Sequence, residues 1–184
     1  MRPIISGYEH LFHYFHAAQQ YGNQFFRPTH CPHPDCARAD TLHCHGHYLR
    51  KPARDSQPRE CLNPIPIFRF FCTACRRTCS VLPECIAPRR WYQWHIQTLA
   101  LKAVLLKISY RKVAASLNMS RRTVRRWLYE LRERHSEFCS ALRNRFAELG
   151  YVANAFEQFW SRCLDKVGLA KAMLFLNTQE IIVP

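Results

Sequence analysis

Two cysteine pairs constrain this chain more than any other feature. Cys72-Thr-Ala-Cys75 is a C-x-x-C, the spacing at which two thiolates and the backbone amides between them wrap one tetrahedral ion. Cys31-Pro-His-Pro-Asp-Cys36 is a wider C-x4-C, still within the ligand spacings of structural zinc sites. Between the pairs, Tyr48 and Leu49 on one side and Ile65, Ile67, Phe68 and Phe70 on the other predict two strands, joined by a basic, proline-rich loop. Knuckle, hairpin and knuckle make a zinc ribbon. Its four ligands, Cys31, Cys36, Cys72 and Cys75, fill the tetrahedron of a Zn2+ ion and leave no position for water, so the metal stabilises the fold and does no chemistry.

The alternative use of paired cysteines, a disulfide framework, needs an oxidising compartment. The N-terminal stretch MRPIISGYEHLFHYFHAAQQ mixes His, Tyr, Glu and Gln into its apolar positions and lacks the apolar run of a signal peptide. No later segment approaches a membrane span, so a cytoplasmic chain with reduced thiols is expected and a membrane partner is not. A thioredoxin-like redox site would need a strand-helix-strand pattern around the C-x-x-C, and none is present. Spare donors surround the knuckles: His30, His33, His43, Cys44, His45, His47, Cys61 and Cys79. The run His43-Cys44-His45-Gly46-His47 could hold a second ion or place alternate residues on the two faces of a strand, and the sequence leaves both open. Cys79 and Cys85, beside Val81, Leu82 and Ile86, read as small buried hydrophobes.

From Trp91 to Leu149 there is neither proline nor glycine, which predicts a helical region. Ile96, Leu99, Ala103 and Leu106, with Leu101, Val104 and Leu105 beside them, predict a helix buried on much of its circumference. In SYRKVAASLNMSRRTVRRWLYEL, Ser109 is a candidate cap for a short helix with Val113, Ala114 and Leu117 inward. Asn118 falls where a left-handed residue is needed, and Ser120 caps a second helix with Val124, Trp127 and Leu128 inward. A helix, a tight turn and a second helix form the arrangement that lays the second helix in the DNA major groove. Here that helix opens with Arg121, Arg122, Arg125 and Arg126, preceded by Arg111 and Lys112 on the bracing helix. Guanidinium groups at these spacings pair with guanine edges or clamp phosphates. The overall balance agrees, since 27 Lys+Arg against 13 Asp+Glu gives a net charge of +14, and arginine supplies 21 of the 27. Double-stranded DNA is the expected partner.

At these residues the sequence resembles a bacterial protein family that joins an N-terminal zinc ribbon to a helix-turn-helix and occurs with insertion-sequence transposases. The resemblance rests on CPHPDC, HGHYLR, IPIFRFFCTACRRTCSVLPE, PRRWY and RKVAASLNMSRRTVRRW, and covers roughly residues 1–135. It implies DNA binding linked to a mobile element, with the same four cysteines as zinc ligands and Arg121, Arg122, Arg125 and Arg126 as the DNA-reading residues. Ala37 and Arg76 stand where such ribbons often place glycine. A transposase catalytic domain would require clustered carboxylates for two metal ions. The four aspartates, Asp35, Asp40, Asp55 and Asp165, do not form such a set, and no Ser-His-Asp order or phosphate-cradling glycine loop is present, so the chain is not expected to be an enzyme.

After Arg134, Leu128, Leu131, His135, Phe138, Leu142, Phe146 and Leu149 recur every three or four residues, close to a heptad seam. Either the recognition helix continues into one long helix or Ser136 and Glu137 cap a new one. Phe156, Phe159, Trp160, Cys163, Leu164 and Val167 form a further stripe, ended by Gly168. It completes a core, closes a homodimer or docks a transposase partner. The expected organisation is α+β and mainly α: an N-terminal helix over 1–29, with Leu11, Phe12 and Phe15 packing on the ribbon; the ribbon over 30–88; the helix-turn-helix over 89–135; and C-terminal helices over 136–184. Two other readings compete with a DNA-binding protein: a protein-interaction adaptor with a structural ribbon, and a metal- or thiol-dependent enzyme using the extra His and Cys residues.

Overall fold

The computed structural model describes residues 4–5, 8, 10–51, 64–86, 92–150, 155–179, 181 and 183. They fall into two compact units, residues 1–93 and 94–184. The proline-rich loop expected between the ribbon strands, with Cys61, and the expected boundary at 88/89 lie outside the described residues. Among the described residues there are seven α-helices and a three-stranded antiparallel sheet that carries the four cysteines. None of these helices is long and apolar enough to cross a membrane.

The first unit is built on β2 (Leu42–Arg50), β3 (Ile65–Cys72) and β4 (Thr78–Ser80), in the order β2-β3-β4. Its inward side chains include Leu42, Phe70, Cys72 and Cys79, all buried. Helix α1 (Leu11–Tyr21) covers β3, and the Tyr14 hydroxyl donates to the Pro66 carbonyl at 2.7 Å. Behind α1, Phe26 stacks on Phe68 with ring centroids 5.0 Å apart. The helix packs on the ribbon as expected, with Leu11 buried and Phe15 partly buried against the core, joined by Tyr14, Ala17 and Ala18, but Phe12 points outward at 56% exposure. The correction has a geometric cause. Leu11, Tyr14 and Ala18 share the i, i+3, i+7 face, and Phe12 is rotated about 100° from it. A two-residue strand that the sequence did not signal, β1 (Ile4–Ile5), pairs in parallel with β5 (Leu82–Pro83).

Among the described residues, the second unit has six α-helices. Helix α2 (Trp94–Leu105) touches α3 (Tyr110–Ser116) and α4 (Arg121–Glu133), and also α6 (Phe156–Lys166) and α7 (Leu169–Thr178). Its buried positions are Trp94, Gln97, Ala100 and Leu101. The expected face of Ile96, Leu99, Ala103 and Leu106 is wrong: Leu99 is 51% exposed and Leu106 is 76% exposed. With apolar residues at most positions, periodicity did not define one stripe, and the buried face runs through Trp94, Gln97, Ala100 and Leu101.

The long-helix reading is also corrected. Helix α4 stops at Glu133, and α5 (His135–Arg145) begins after Arg134, whose guanidinium holds Glu137 at 2.7 Å. Ser136 lies inside α5 and caps nothing. The near-heptad residues Leu131, Phe138, Leu142, Phe146 and Leu149 are buried within this unit, as are Phe159, Trp160, Cys163 and Leu164 of the later stripe. Phe138 meets Trp160 edge-on at 6.0 Å. The stripe thus completes a core inside one chain.

Candidate functional site

The two knuckles close in the same way. Each first cysteine donates its backbone N–H to the carbonyl two residues past the second cysteine: Cys31 to Arg38 and Cys72 to Arg77, both at 2.9 Å. Each chain then reverses through a left-handed residue directly after the second cysteine, Ala37 at φ 45° and Arg76 at φ 59°. The amide of Ala37 donates to His33 at 3.0 Å, and that of Arg76 to Cys72 at 2.9 Å. Positions where glycine was expected therefore keep the glycine-like backbone and tolerate a Cβ.

This folding brings Cys31, Cys36, Cys72 and Cys75 together, with all four sulfurs within 4.8 Å of one another. The Cys31–Cys75 and Cys36–Cys72 sulfurs are 3.7 and 3.8 Å apart. A disulfide requires about 2.0 Å, so these are free thiols. A tetrahedral ion bonded to four sulfurs at about 2.3 Å needs edges of about 3.8 Å. The cluster fits a metal ion. The Thr41 hydroxyl, 3.2 Å from Cys72 Sγ, together with the backbone N–H of Cys75, lowers the Cys72 thiol to about 6. Burial pushes Cys31 up to about 12. Across the cluster, Arg77 pairs with Asp35 at 2.5 Å and ties the second knuckle to the first.

The spare donors stay apart. His43, His45 and His47 are exposed along β2, and among the described residues only the four cysteines form a group suited to a metal. A bulge between Cys44 and His47 interrupts that strand, and Gly46 (φ 78°) supplies the turn. Cys79 and Cys85 are buried, and burial raises both thiols, Cys85 to about 12.

In the second unit the sequence dictates the helix-turn-helix locally. The Ser109 hydroxyl accepts from the Lys112 amide at 3.4 Å, and the Ser120 hydroxyl accepts from the Arg122 amide at 3.2 Å. Between the caps, Asn118 adopts φ 47° and Met119 donates to the Ala114 carbonyl at 2.9 Å. Val113, Ala114, Val124, Trp127 and Leu128 are buried, with Leu117 half-buried. This packing turns the opposite side of α4 to solvent.

That side forms the wall of an open groove of about 1330 Å³. Ser120, Arg121, Arg122, Arg125 and Arg126 line it, with Arg111 from α3. Lys112 does not. Among the described residues, Arg111, Arg121, Arg122 and Arg125 have no acidic partner, and Arg126 faces Glu130 at 3.8 Å. Sequence reasoning missed Tyr110, Tyr129 and Arg132, which also line the groove. Tyr129 and Arg132 continue the 3-4-3 spacing that begins at Arg122 and Arg125, so the signal was one helical turn further along. Arg132 is anchored from behind: its guanidinium lies 3.3 Å from Glu157 and 5.1 Å from the Phe156 ring centroid.

No curated protein and no solved structure matches the chain. Residues 31–127, more than half of the chain, run from the first cysteine of the knuckles to the buried tryptophan of α4, and they match the family described as a domain of unknown function, DUF6431. The chain belongs to that family.

Proposed function

We propose that this protein is a zinc-stabilised, sequence-specific binder of double-stranded DNA, acting without catalysis in the cytoplasm. The observation that carries the reading is the solvent-facing arginine wall at the start of α4, unopposed by acids at Arg121, Arg122 and Arg125. A helix of about 10–12 Å diameter fits the major groove, which is about 12 Å wide. Arginines in its first turns then reach base edges, and Arg111 and Arg132 reach the flanking phosphates. The chemistry of four clustered thiols favours zinc as the ion, held by Cys31, Cys36, Cys72 and Cys75. Bound there, zinc supplies the cross-link that a small sheet lacks.

The link to a mobile element, as transposition accessory, repressor or detached DNA-binding half, rests on the resemblance of the knuckle and helix-turn-helix motifs. Selection of bound sequences from random duplex DNA tests both levels. A recovered motif that occurs at insertion-sequence ends supports the whole reading. Recovery of no motif, with affinity indifferent to salt, would favour a protein-interaction adaptor, because phosphate contacts by about four or five arginines give a log-log salt slope of roughly −4.

A further inference from the structure

We propose that the outward face of the ribbon sheet is a second nucleic-acid surface, one that takes an unpaired strand. This deepens the DNA-binding reading and shares with it only the class of partner, since none of its residues lies on α4.

The sheet has two unlike faces. Phe70, Cys72 and Cys79 point into the core. On the other side, His43 sits opposite Phe71, and Phe71 opposite Thr78; Arg69 sits opposite Ser80. The bulge after Cys44 brings the His45 ring to within 6.0 Å of the Phe71 ring. His43, His45 and Thr78 are exposed, and Phe71, Arg69 and Ser80 are half-buried. The three strands contain no Asp or Glu, and among the described residues Arg69 has no acidic partner.

An aromatic ring flanked by imidazoles, a guanidinium and hydroxyls, with no carboxylate, is chemically complementary to a strand of nucleotides. Phe71 offers a π-face for a base, and Arg69 offers charge and hydrogen bonds for phosphate. The arrangement selects against paired DNA, because stacked bases in a duplex present only their edges and phosphates. It also selects against a purely acidic protein partner, which would have no use for the ring.

The test uses the full zinc-loaded chain and a labelled mixed-sequence oligonucleotide of about 15 nucleotides, read by fluorescence anisotropy. Phe71→Ala and Arg69→Ala are each expected to weaken single-strand binding by about tenfold, with duplex affinity unchanged within about twofold. The double variant Arg122→Ala/Arg125→Ala is expected to do the reverse. If Phe71→Ala loses zinc, His45→Ala, at an exposed position, carries the comparison, with Arg69→Ala, at a half-buried one, beside it. Single-strand affinity unaffected by all of these would overturn the proposal. So would competition by poly-glutamate as effective as that by the oligonucleotide, which would leave a cationic surface without a base site. Loss of duplex binding by α4 variants, or its absence in the parent, bears on the earlier reading alone.

Discussion

Ala37 and Arg76 occupy the same place in the two knuckles, one residue past the second cysteine, and both hold left-handed backbone at φ 45° and 59°. The reversal is imposed by the hydrogen bonds that close each knuckle, from Cys31 to Arg38 and from Cys72 to Arg77. A Cβ in that conformation costs about 1–2 kcal/mol, while glycine loses an extra 0.5–1 kcal/mol of chain entropy on folding, roughly. Ala37→Gly and Arg76→Gly are therefore each expected to stabilise the first unit by about 0.5–1 kcal/mol, measured as a higher unfolding midpoint. A loss of stability at either position would show that the side chain contributes more than its backbone strain.

Metal content follows from the sulfur geometry. One zinc per chain is expected by elemental analysis, and a strong chelator should unfold the first unit while the helices of the second retain their circular dichroism signal. Cys72→Ser should act like the chelator. Uptake of two ions would point back to His43, Cys44, His45 and His47.

The arginines of α4 should not be equivalent. Arg122→Ala or Arg125→Ala should cost about 1–3 kcal/mol of DNA affinity and relax preference at one base position. Arg126, with Glu130 at 3.8 Å, starts partly neutralised, so its removal should cost less and affect all sequences alike. Binding measured against the selected site and single-base mismatches separates the two patterns.

Glu157 offers a pH signature. A backbone N–H bond, with Lys107 and Arg132 nearby, lowers its carboxyl from the ordinary 4.5. A depressed acid contributes stability above its unfolded value and loses it as pH falls through the folded one. Glu157→Gln should thus destabilise the second unit slightly at pH 7, with the difference shrinking as pH falls below 4.5, as read by denaturant midpoints. The effect is small, because the pair with Arg132 is solvent-exposed.

Phe159 is fully buried inside the chain. Phe159→Asp should therefore unfold the helices of the second unit, costing about 3 kcal/mol or more, and should not convert a folded dimer into a folded monomer. Light scattering together with circular dichroism distinguishes these outcomes.

Much of this was legible in the sequence where local chemistry decides the backbone. Cysteine spacing identified the four thiols, because a tetrahedral site tolerates few loop lengths. Ser109, Asn118 and Ser120 located the turn, because each satisfies a specific amide or a specific φ. The phases of α1 and α2 were not legible: Phe12 and Leu99 are as apolar as Tyr14 and Leu101, and only the neighbouring element decides which is covered. The break at Arg134 was legible only as one of two readings, for a related reason. It carries neither glycine nor proline, and the apolar spacing runs through it unchanged. Tyr129 and Arg132 were missed because the first two turns of α4 already accounted for the charge.

The family match ends at Trp127, in the middle of α4, a residue with no exposed surface. Helix α2, which lies inside the match, also contacts α6 and α7, which lie outside it. The matched stretch therefore leaves out helices on which α2 packs. A chain cut at its borders would leave an apolar helix half uncovered and lose the last turn and a half of α4. The borders of the family match and of the compact units fall at different places. Any attempt to transplant this arginine helix into another scaffold must carry the C-terminal third with it.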